Sequence, residues 1–222
     1  MIDLHTHTFF SDGELGLAEL VRRAQVAGYD TIGVADHADG SNLEFLVPRL
    51  RAGARELSAA MTIRVLAGVE LTHVPPVLVA PLVARARALG ADFVAVHGET
   101  ITEPVMTGTN RAAIEAGADY VAHPGLISRE DAAAAAARGV ALEVTTRRGH
   151  AYANGHVVQV ARATGARLII NNDAHAPGDL VGKAAAARIA AGAGLSAEEF
   201  QQCIDTAYAL VERVLAAARH VA

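Results

Sequence analysis

Five times in this chain a helical stretch closes on glycine and opens at once into a short apolar run. The junctions read Ala-Gly-Tyr-Asp at 27–30, Leu-Gly-Ala-Asp at 89–92, Ala-Gly-Ala-Asp at 116–119, Arg-Gly-Val at 138–140 and Thr-Gly-Ala-Arg at 164–167. A helix ends readily on a left-handed glycine, so Gly28, Gly90, Gly117, Gly139 and Gly165 mark five helix ends, each followed by a strand. The spacing is that of a βα repeat. Strands are expected at 2–4, 31–36, 63–69, 92–96, 119–122, 140–144 and 167–171. Helices are expected at 16–27, 42–60, 77–89, 109–116, 128–138, 154–164, 179–191 and 196–218, with Ser128 and Asp131, and better Ser196 and Glu199, forming capping-box starts. Strictly alternating β and α units imply a parallel sheet. With no linker, no low-complexity tail and no break in composition, residues 1–222 read as one domain.

The strand ends decide between an open sheet and a barrel. The residues at or just past them are His5 and His7, then His37, Glu70, His97, His123, and finally Asp173 with His175. Six of the seven expected strands thus end on a side chain that can bind metal, in a chain with ten histidines. An open sheet gathers ligands at one crevice, whereas a barrel brings every strand end onto one face. The expected fold is therefore α/β, a distorted (β/α)7 barrel one strand short of the usual eight. Within it, His5 and His7 stand two residues apart, as do Asp173 and His175, and extended backbone puts such pairs on one side. Asp12 follows just beyond the first pair. Glu70 ends the apolar run Val-Leu-Ala-Gly-Val-Glu, where a buried carboxylate needs a cation. His37, His97 and His123, each unremarkable alone, share the register. His73, His150, His156 and His220 do not: His220 reads as a tail residue, His73 as a loop residue, and His150 and His156 stay open.

Composition excludes several classes. The hydrophobic fraction is 52%, but much of it is alanine in helical runs, and no apolar stretch is long enough to span a bilayer. The net charge is −5, and Lys183 is the only lysine, so no basic stripe exists for long nucleic acid. A short phosphorylated molecule remains an acceptable partner. Cys203 is the single cysteine and reads as a buried helix residue, which fits a reducing compartment. The first residues carry Asp3 and His5 rather than a basic end and an apolar run. The expected location is cytoplasmic, with no membrane partner.

Taken in order, His-Thr-His, Ser-Asp-Gly, Asp-His after the second strand, Gly-Val-Glu after the third, then His-Gly, His-Pro and Asp-Ala-His resemble the motifs of the PHP (polymerase and histidinol phosphatase) superfamily. The resemblance runs from residue 2 to about residue 180. It implies a distorted (βα)7 barrel holding two to three divalent metals, Zn, Mn or Fe, that hydrolyses phosphoesters. Carried over by motif, His5, His7, Glu70 and Asp173 would hold one metal. Glu70 would bridge to a second, completed by His97 and His123. Asp12, His37 and His175 would hold a third. The resemblance makes Glu70, Asp173 and His175 central to catalysis. Asp36 and Glu99 lie beside ligands in the sequence and read either as residues that orient them or as surface or helix-start carboxylates.

Substrate contacts do not transfer, because the sixth strand end reads Glu143-Val-Thr where the family often has Glu followed by Asn. Arg147 and Arg148 follow that strand and could clamp a phosphate. The loop from His97 through Asn110 and Arg111 is a second candidate. The expected activity is hydrolysis of a small phosphorylated metabolite such as histidinol phosphate. Three other readings stand beside it: a nucleotide or short-oligonucleotide phosphodiesterase, an amidohydrolase-type C–N hydrolase, and a non-catalytic metal-binding module. Many amidohydrolases carry a metal-bridging lysine on the fourth strand, where this chain has His97.

Overall fold

The computed structural model describes residues 1–219, with side chains as far as residue 216; His220 lies outside the described residues. Nine strand segments make seven staves: β1 (Ile2–Thr6), β2 (Thr31–Val34), β3 (His37–Ala38), β4 (Arg64–Ala67), β5 (Val69–Leu71), β6 (Val94–His97), β7 (Tyr120–Ala122), β8 (Ala141–Thr145) and β9 (Leu168–Asn171). Every pairing is parallel, in the orders β1-β2-β4 and β3-β5-β6-β7-β8-β9. A parallel bridge between Thr6 and Ala174 joins the seventh stave to the first, with His7 N–H donating to Ala174 O at 2.9 Å. This is the expected distorted (βα)7 barrel.

The second and third expected strands are each broken in two. Gly68 separates β4 from β5 because the Phe93 ring occupies the space beside it: a Cβ there would lie 2.3 Å from that ring. At the other break, Asp36 leaves the ladder to hold the loop after β1. Its carboxylate accepts from Thr8 N–H, Thr8 Oγ1 and Ser11 Oγ, each at 2.7 Å. Backbone pairing still crosses the gap, through Gly68 N–H to Val34 O at 2.8 Å and Glu70 N–H to Asp36 O at 3.2 Å.

A register shift between Asp3 and Thr6 shapes β1. In a regular strand Ile2 and Leu4 would face away from His5. Here Ile2 and Leu4 pack with Leu66, Phe93, Ala95 and Tyr120, yet His5 also turns inward to Glu70 and Glu143. An irregularity of this kind re-aims a side chain beside a site. The Tyr120 hydroxyl donates to Leu4 O at 2.7 Å, so an apolar floor with one satisfied polar handle seals the barrel beneath His5.

The helices α1 (Leu17–Val26), α2 (Leu43–Ala60), α3 (Pro76–Leu89), α4 (Thr109–Glu115), α5 (Arg129–Arg138), α6 (Asn154–Thr164), α7 (Lys183–Gly192) and α8 (Ala197–Arg219) lie close to their expected ranges. All five junction glycines have positive φ, from 69° to 94°. Ser128 caps α5, and Ser196 with Glu199 makes a reciprocal box at the start of α8. The seventh helix starts later than the expected 179. Residues Pro177–Asp179 form a 3-10 turn instead, because the Asp179 carboxylate accepts from the His175 and Ala176 N–H groups at 3.0 and 2.9 Å. That segment serves the loop after β9. Helix α8 buries Phe200, Cys203, Ile204, Ala207, Leu210 and Val211 in the cluster that contains Ile2 and Leu4. No helix among the described residues is long and apolar enough to cross a membrane.

Candidate metal centre

The C-terminal ends of the staves bring all nine expected ligands to one face, around Glu70. Glu70 sits in β5, fully buried, and its Oε2 lies 2.8 Å from His37 Nδ1, 3.4 Å from His5 Nε2 and 3.8 Å from His7 Nε2. Its Oε1 lies 3.6 Å from His123 Nε2. Asp173 faces it from after β9, 3.3 Å from His7 Nε2 and 3.6 Å from both His5 and His123 Nε2. Asp12 reaches over from the first loop to His37 Nε2 at 3.4 Å and His175 Nε2 at 3.1 Å. Ligand atoms lie within 4.8 Å of one another in the sets His5–His7–Glu70, His5–His123–Asp173, His7–Asp12–His37–His175 and His97–His123–His150. His123 and Asp173 are held at φ 27° and 53°, backbone that non-glycine residues seldom adopt. Such outliers persist where the surroundings over-determine them.

The donors fit divalent metal. His5 Nε2, both nitrogens of His7, His123 Nδ1, Glu70 Oε1 and Asp173 Oδ1 are buried without a hydrogen-bond partner. Unsatisfied buried groups are costly, and a cation satisfies imidazole and carboxylate lone pairs together. Two second contacts support the tautomers. Glu143 Oε1 lies 2.8 Å from His5 Nδ1. An ionised carboxylate only accepts, so Nδ1 carries the hydrogen and the Nε2 lone pair faces Glu70 and Asp173. His97 Nδ1 likewise faces Gly98 O at 3.1 Å.

Electrostatics in the metal-free chain follow from this crowding. Burial drives His7 well below the ordinary histidine value, and His37, His5 and His175 push it the same way. Burial and then His97 hold His123 down too. For Glu70, burial pushes up, but His5 and His37 outweigh it and hold the carboxyl well below the usual range. Burial raises Asp173 to about 7, against the pull of His5 and with the push of Glu70. Burial lowers His37, but Glu70 and Asp12 outweigh it and bring it to about 10.

These shifts carry a sign. Asp173, raised in the folded state from 3.8, favours the protonated fold, a contribution lost as pH rises towards 7. The His37 contribution is complete below 6.5 and is lost as pH climbs to about 10. The Glu70 term runs oppositely but acts below its unfolded value of 4.5. Metal held by Asp173 and His37 would have to displace their protons, so its affinity would rise with pH over the same window. Melting of chelated and metal-loaded protein at about pH 6 and about pH 8.5 is expected to show the loaded-minus-chelated gap widening with pH. A gap that narrows would overturn this coupling.

Glu143 is the residue sequence reasoning undervalued. It is fully buried in β8, and besides His5 it accepts from Asn171 Nδ2 at 2.8 Å and, through Oε2, from His123 N–H at 3.0 Å. A carboxylate inside the apolar run Val-Ala-Leu-Glu-Val was the available signal. Asp36 orients the loop that carries Asp12, as described. Glu99 instead caps the start of α4, accepting from Gly108 and Asn110 N–H at 3.0 and 2.9 Å. His150 joins the site: its ring stacks on His123 with centroids 4.1 Å apart. His156 does not, since its Nε2 bonds Ile127 O at 2.8 Å. Arg147 Nη1 donates to Asp173 O at 3.0 Å and lies 2.7 Å from His175 Nδ1. Arg148 is exposed and lines, with Thr146, Arg147, Asn172, Gly178, Asp179 and Val181, a cleft of about 520 Å³ beside the centre. Arg111 is tied to Glu130 and Asp131, away from the ligands. Lys183 is exposed at the start of α7.

Comparison with known proteins gives this arrangement a family. The sequence pattern of the PHP domain matches residues 3–213. An uncharacterised protein of Methanocaldococcus jannaschii is 44% identical over 204 residues, which cover 91% of this chain and 94% of that one. Among solved structures, a chain of archaeal ribonuclease P with mature tRNA aligns with a TM-score of 0.68 at 15% identity, over 96% of this chain and 91% of that chain. A candidate histidinol phosphatase from Listeria monocytogenes aligns with a TM-score of 0.60 at 14% identity, over 81% of this chain and 97% of that chain. At such identities the two alignments show a shared fold alone. The family pattern and the archaeal relative both extend over nearly the whole chain, and it belongs to the PHP domain family, whose members are generally metal-dependent hydrolases.

Proposed function

We propose that this protein is a metal-dependent phosphoesterase acting on a small phosphorylated compound. The observation that carries the reading is the ring of buried, unpartnered imidazole and carboxylate atoms around Glu70, opening beside a cleft that carries two arginines. His5, His7, Glu70 and Asp173 would hold one divalent ion, Glu70 with His97 and His123 a second, and Asp12, His37 and His175 a third. Bound there, such ions supply a water acidic enough to attack near neutral pH and positive charge for the phosphate oxygens.

The chain's own groups do the rest. Glu143 keeps the His5 hydrogen on Nδ1, away from the centre. Asp36 fixes the loop that aims Asp12. Arg148 presents a guanidinium fork to the cleft, suited to two parallel bonds to a phosphate. The likeness to the Listeria candidate histidinol phosphatase supports a phosphomonoester such as histidinol phosphate. An amide substrate is disfavoured, because the one lysine of the chain lies exposed at the start of α7 rather than on a stave. The acidic net charge of −5 disfavours long RNA, despite the likeness to the ribonuclease P chain.

Release of inorganic phosphate from a panel of phosphorylated metabolites, with Mn or Zn added, tests the reading. Release of nucleotides instead would favour a phosphodiesterase. No turnover of any phosphoester by metal-loaded protein would remove the proposal.

The two arginines are expected to behave differently. Arg148→Ala should raise KM by about 10-fold with kcat nearly unchanged, since a fork in the cleft binds ground and transition state alike. Arg148→Lys should restore this only partly, because a point charge does not reproduce the fork. Arg147→Ala should also weaken metal binding, because Arg147 ties the backbone of Asp173. Unchanged KM and phosphate inhibition in Arg148→Ala would take that residue out of the site.

A further inference from the structure

The end of the barrel opposite the metal centre holds a second groove, of about 360 Å³, between α2 and α8. Arg51, Arg55 and Ser58 line it from α2, at the i, i+4 and i+7 spacing that shares one helix face, and Arg64 opens β4 beside them. Val65, Leu66, Val214 and Leu215 give the groove an apolar wall. The other polar groups of the groove are spent on backbone. Ser58 Oγ accepts from Val65 N–H at 2.9 Å, and Asp92 Oδ2 accepts from Ala67 N–H at 2.8 Å. The three arginines are not spent: among the described residues none has a hydrogen-bond partner or a carboxylate within 4.0 Å. Elsewhere Arg23, Arg85, Arg162 and Arg213 each hold a carboxylate, and with 24 acidic against 19 basic residues the chain has carboxylates to spare. A second observation concerns Arg51. Its guanidinium fills the space that a side chain at Gly90 would need, so it is seated, half-buried, against the end of α3. Like charges gathered in one groove repel until an anion joins them.

We propose that Arg51, Arg55 and Arg64 form a binding site for a small phosphorylated anion, separate from the metal centre. Asp92 is the one carboxylate lining the groove, and Arg51 and Arg55 face it from beyond ion-pair distance. Three cations against one carboxylate leave two positive charges, which calls for a ligand with at least two negative charges. Guanidinium forks match phosphate oxygens through pairs of parallel bonds, as a point charge does not. The groove has the size of a small-molecule site, and its apolar wall receives the carbon part of such a ligand. Because Arg64 and Asp92 stand at the starts of their staves and the metal ligands at the ends, ligand and substrate can be bound together. The site does not depend on the phosphoesterase reading.

The test titrates pyrophosphate into the full chain by calorimetry, after chelation so that no metal ion bridges the probe to the Glu70 cluster. Wild type, Arg55→Gln, Arg64→Gln and Arg148→Ala are compared. Arg55 and Arg64 are exposed and without partners, so without pyrophosphate both glutamine variants should melt like wild type. Each is expected to bind pyrophosphate about 10-fold more weakly, the scale of losing one charge-assisted contact. Arg148→Ala, which takes the fork out of the cleft beside the metal centre, should still bind it as wild type does. Pyrophosphate should also raise the melting temperature of wild type, and Arg55→Gln combined with Arg64→Gln should lose most of that gain. Equal affinity in wild type and both glutamine variants, binding lost only in Arg148→Ala, or no binding by wild type would each overturn the site. A single-stranded oligonucleotide that binds where pyrophosphate does not would overturn the small-ligand reading.

Discussion

Glu70→Gln is expected to lose at least one metal ion and to lower turnover by ~10²-fold or more, the scale of removing a key electrostatic group. The substitution keeps the volume of the side chain and removes its charge. Glu70 is fully buried, and its two oxygens face His5, His7 and His37 on one side and His123 on the other. Asp173 also lies within 4.0 Å of four expected ligand imidazoles, but among the described carboxylates Glu70 is the one that reaches both His37 and His123. An amide would present an NH₂ group to nitrogen lone pairs and would no longer offset two cations at once. The metal-free protein should change as well. His37 owes its raised value above all to Glu70, so it should titrate closer to the ordinary histidine range in the variant. Elemental analysis, turnover and an NMR titration of the His37 ring measure the three consequences separately. Full metal content with near-normal turnover would show that Glu70 does not bridge.

How much of this was legible in the sequence depended on whether a residue's role was local. The helix-glycine-strand junctions are local chemistry, and all five glycines adopt the left-handed backbone that helix ends call for. The clustering of His5, Glu70, His97 and His123 was legible because parallel staves place their ends on one face, so position along the chain alone brings them together. The breaks in the second and third staves were not, because they depend on distant partners. Gly68 yields to Phe93, which follows it by a whole repeat, and Asp36 leaves its ladder to bind Thr8 and Ser11. The shift in β1 is of the same kind: alternation put Ile2 and Leu4 opposite His5, and the barrel accommodates all three inside. His150 also fell outside the strand-end register, although folding stacks it on His123.

Glu143 marks the boundary between the two kinds of residue, and its replacement should have the second-largest effect. It accepts from His5 Nδ1, Asn171 Nδ2 and His123 N–H. In Glu143→Gln the NH₂ group takes the place of Oε1, facing His5 Nδ1 and Asn171 Nδ2, or of Oε2, facing His123 N–H. If it faces His5, the imidazole reverses its tautomer and points N–H at Glu70 and Asp173, where a metal would need the lone pair. If it faces His123 N–H, the strained turn at φ 27° loses an anchor. Partners that orient a ligand in this way are typically worth about 10- to 100-fold in metal affinity or activity. A buried donor left without an acceptor adds a stability cost of about 1–3 kcal/mol. The variant is therefore expected to bind metal about 10- to 100-fold more weakly and to melt lower, with excess metal restoring much of the turnover. Glu70→Gln should not be rescued in that way, since it lacks a ligand rather than the support of one. Metal titrations of both variants, followed by activity at saturating metal, separate the two roles. Failure of excess metal to restore Glu143→Gln would mean that Glu143 acts on the reaction itself and not through His5 and His123.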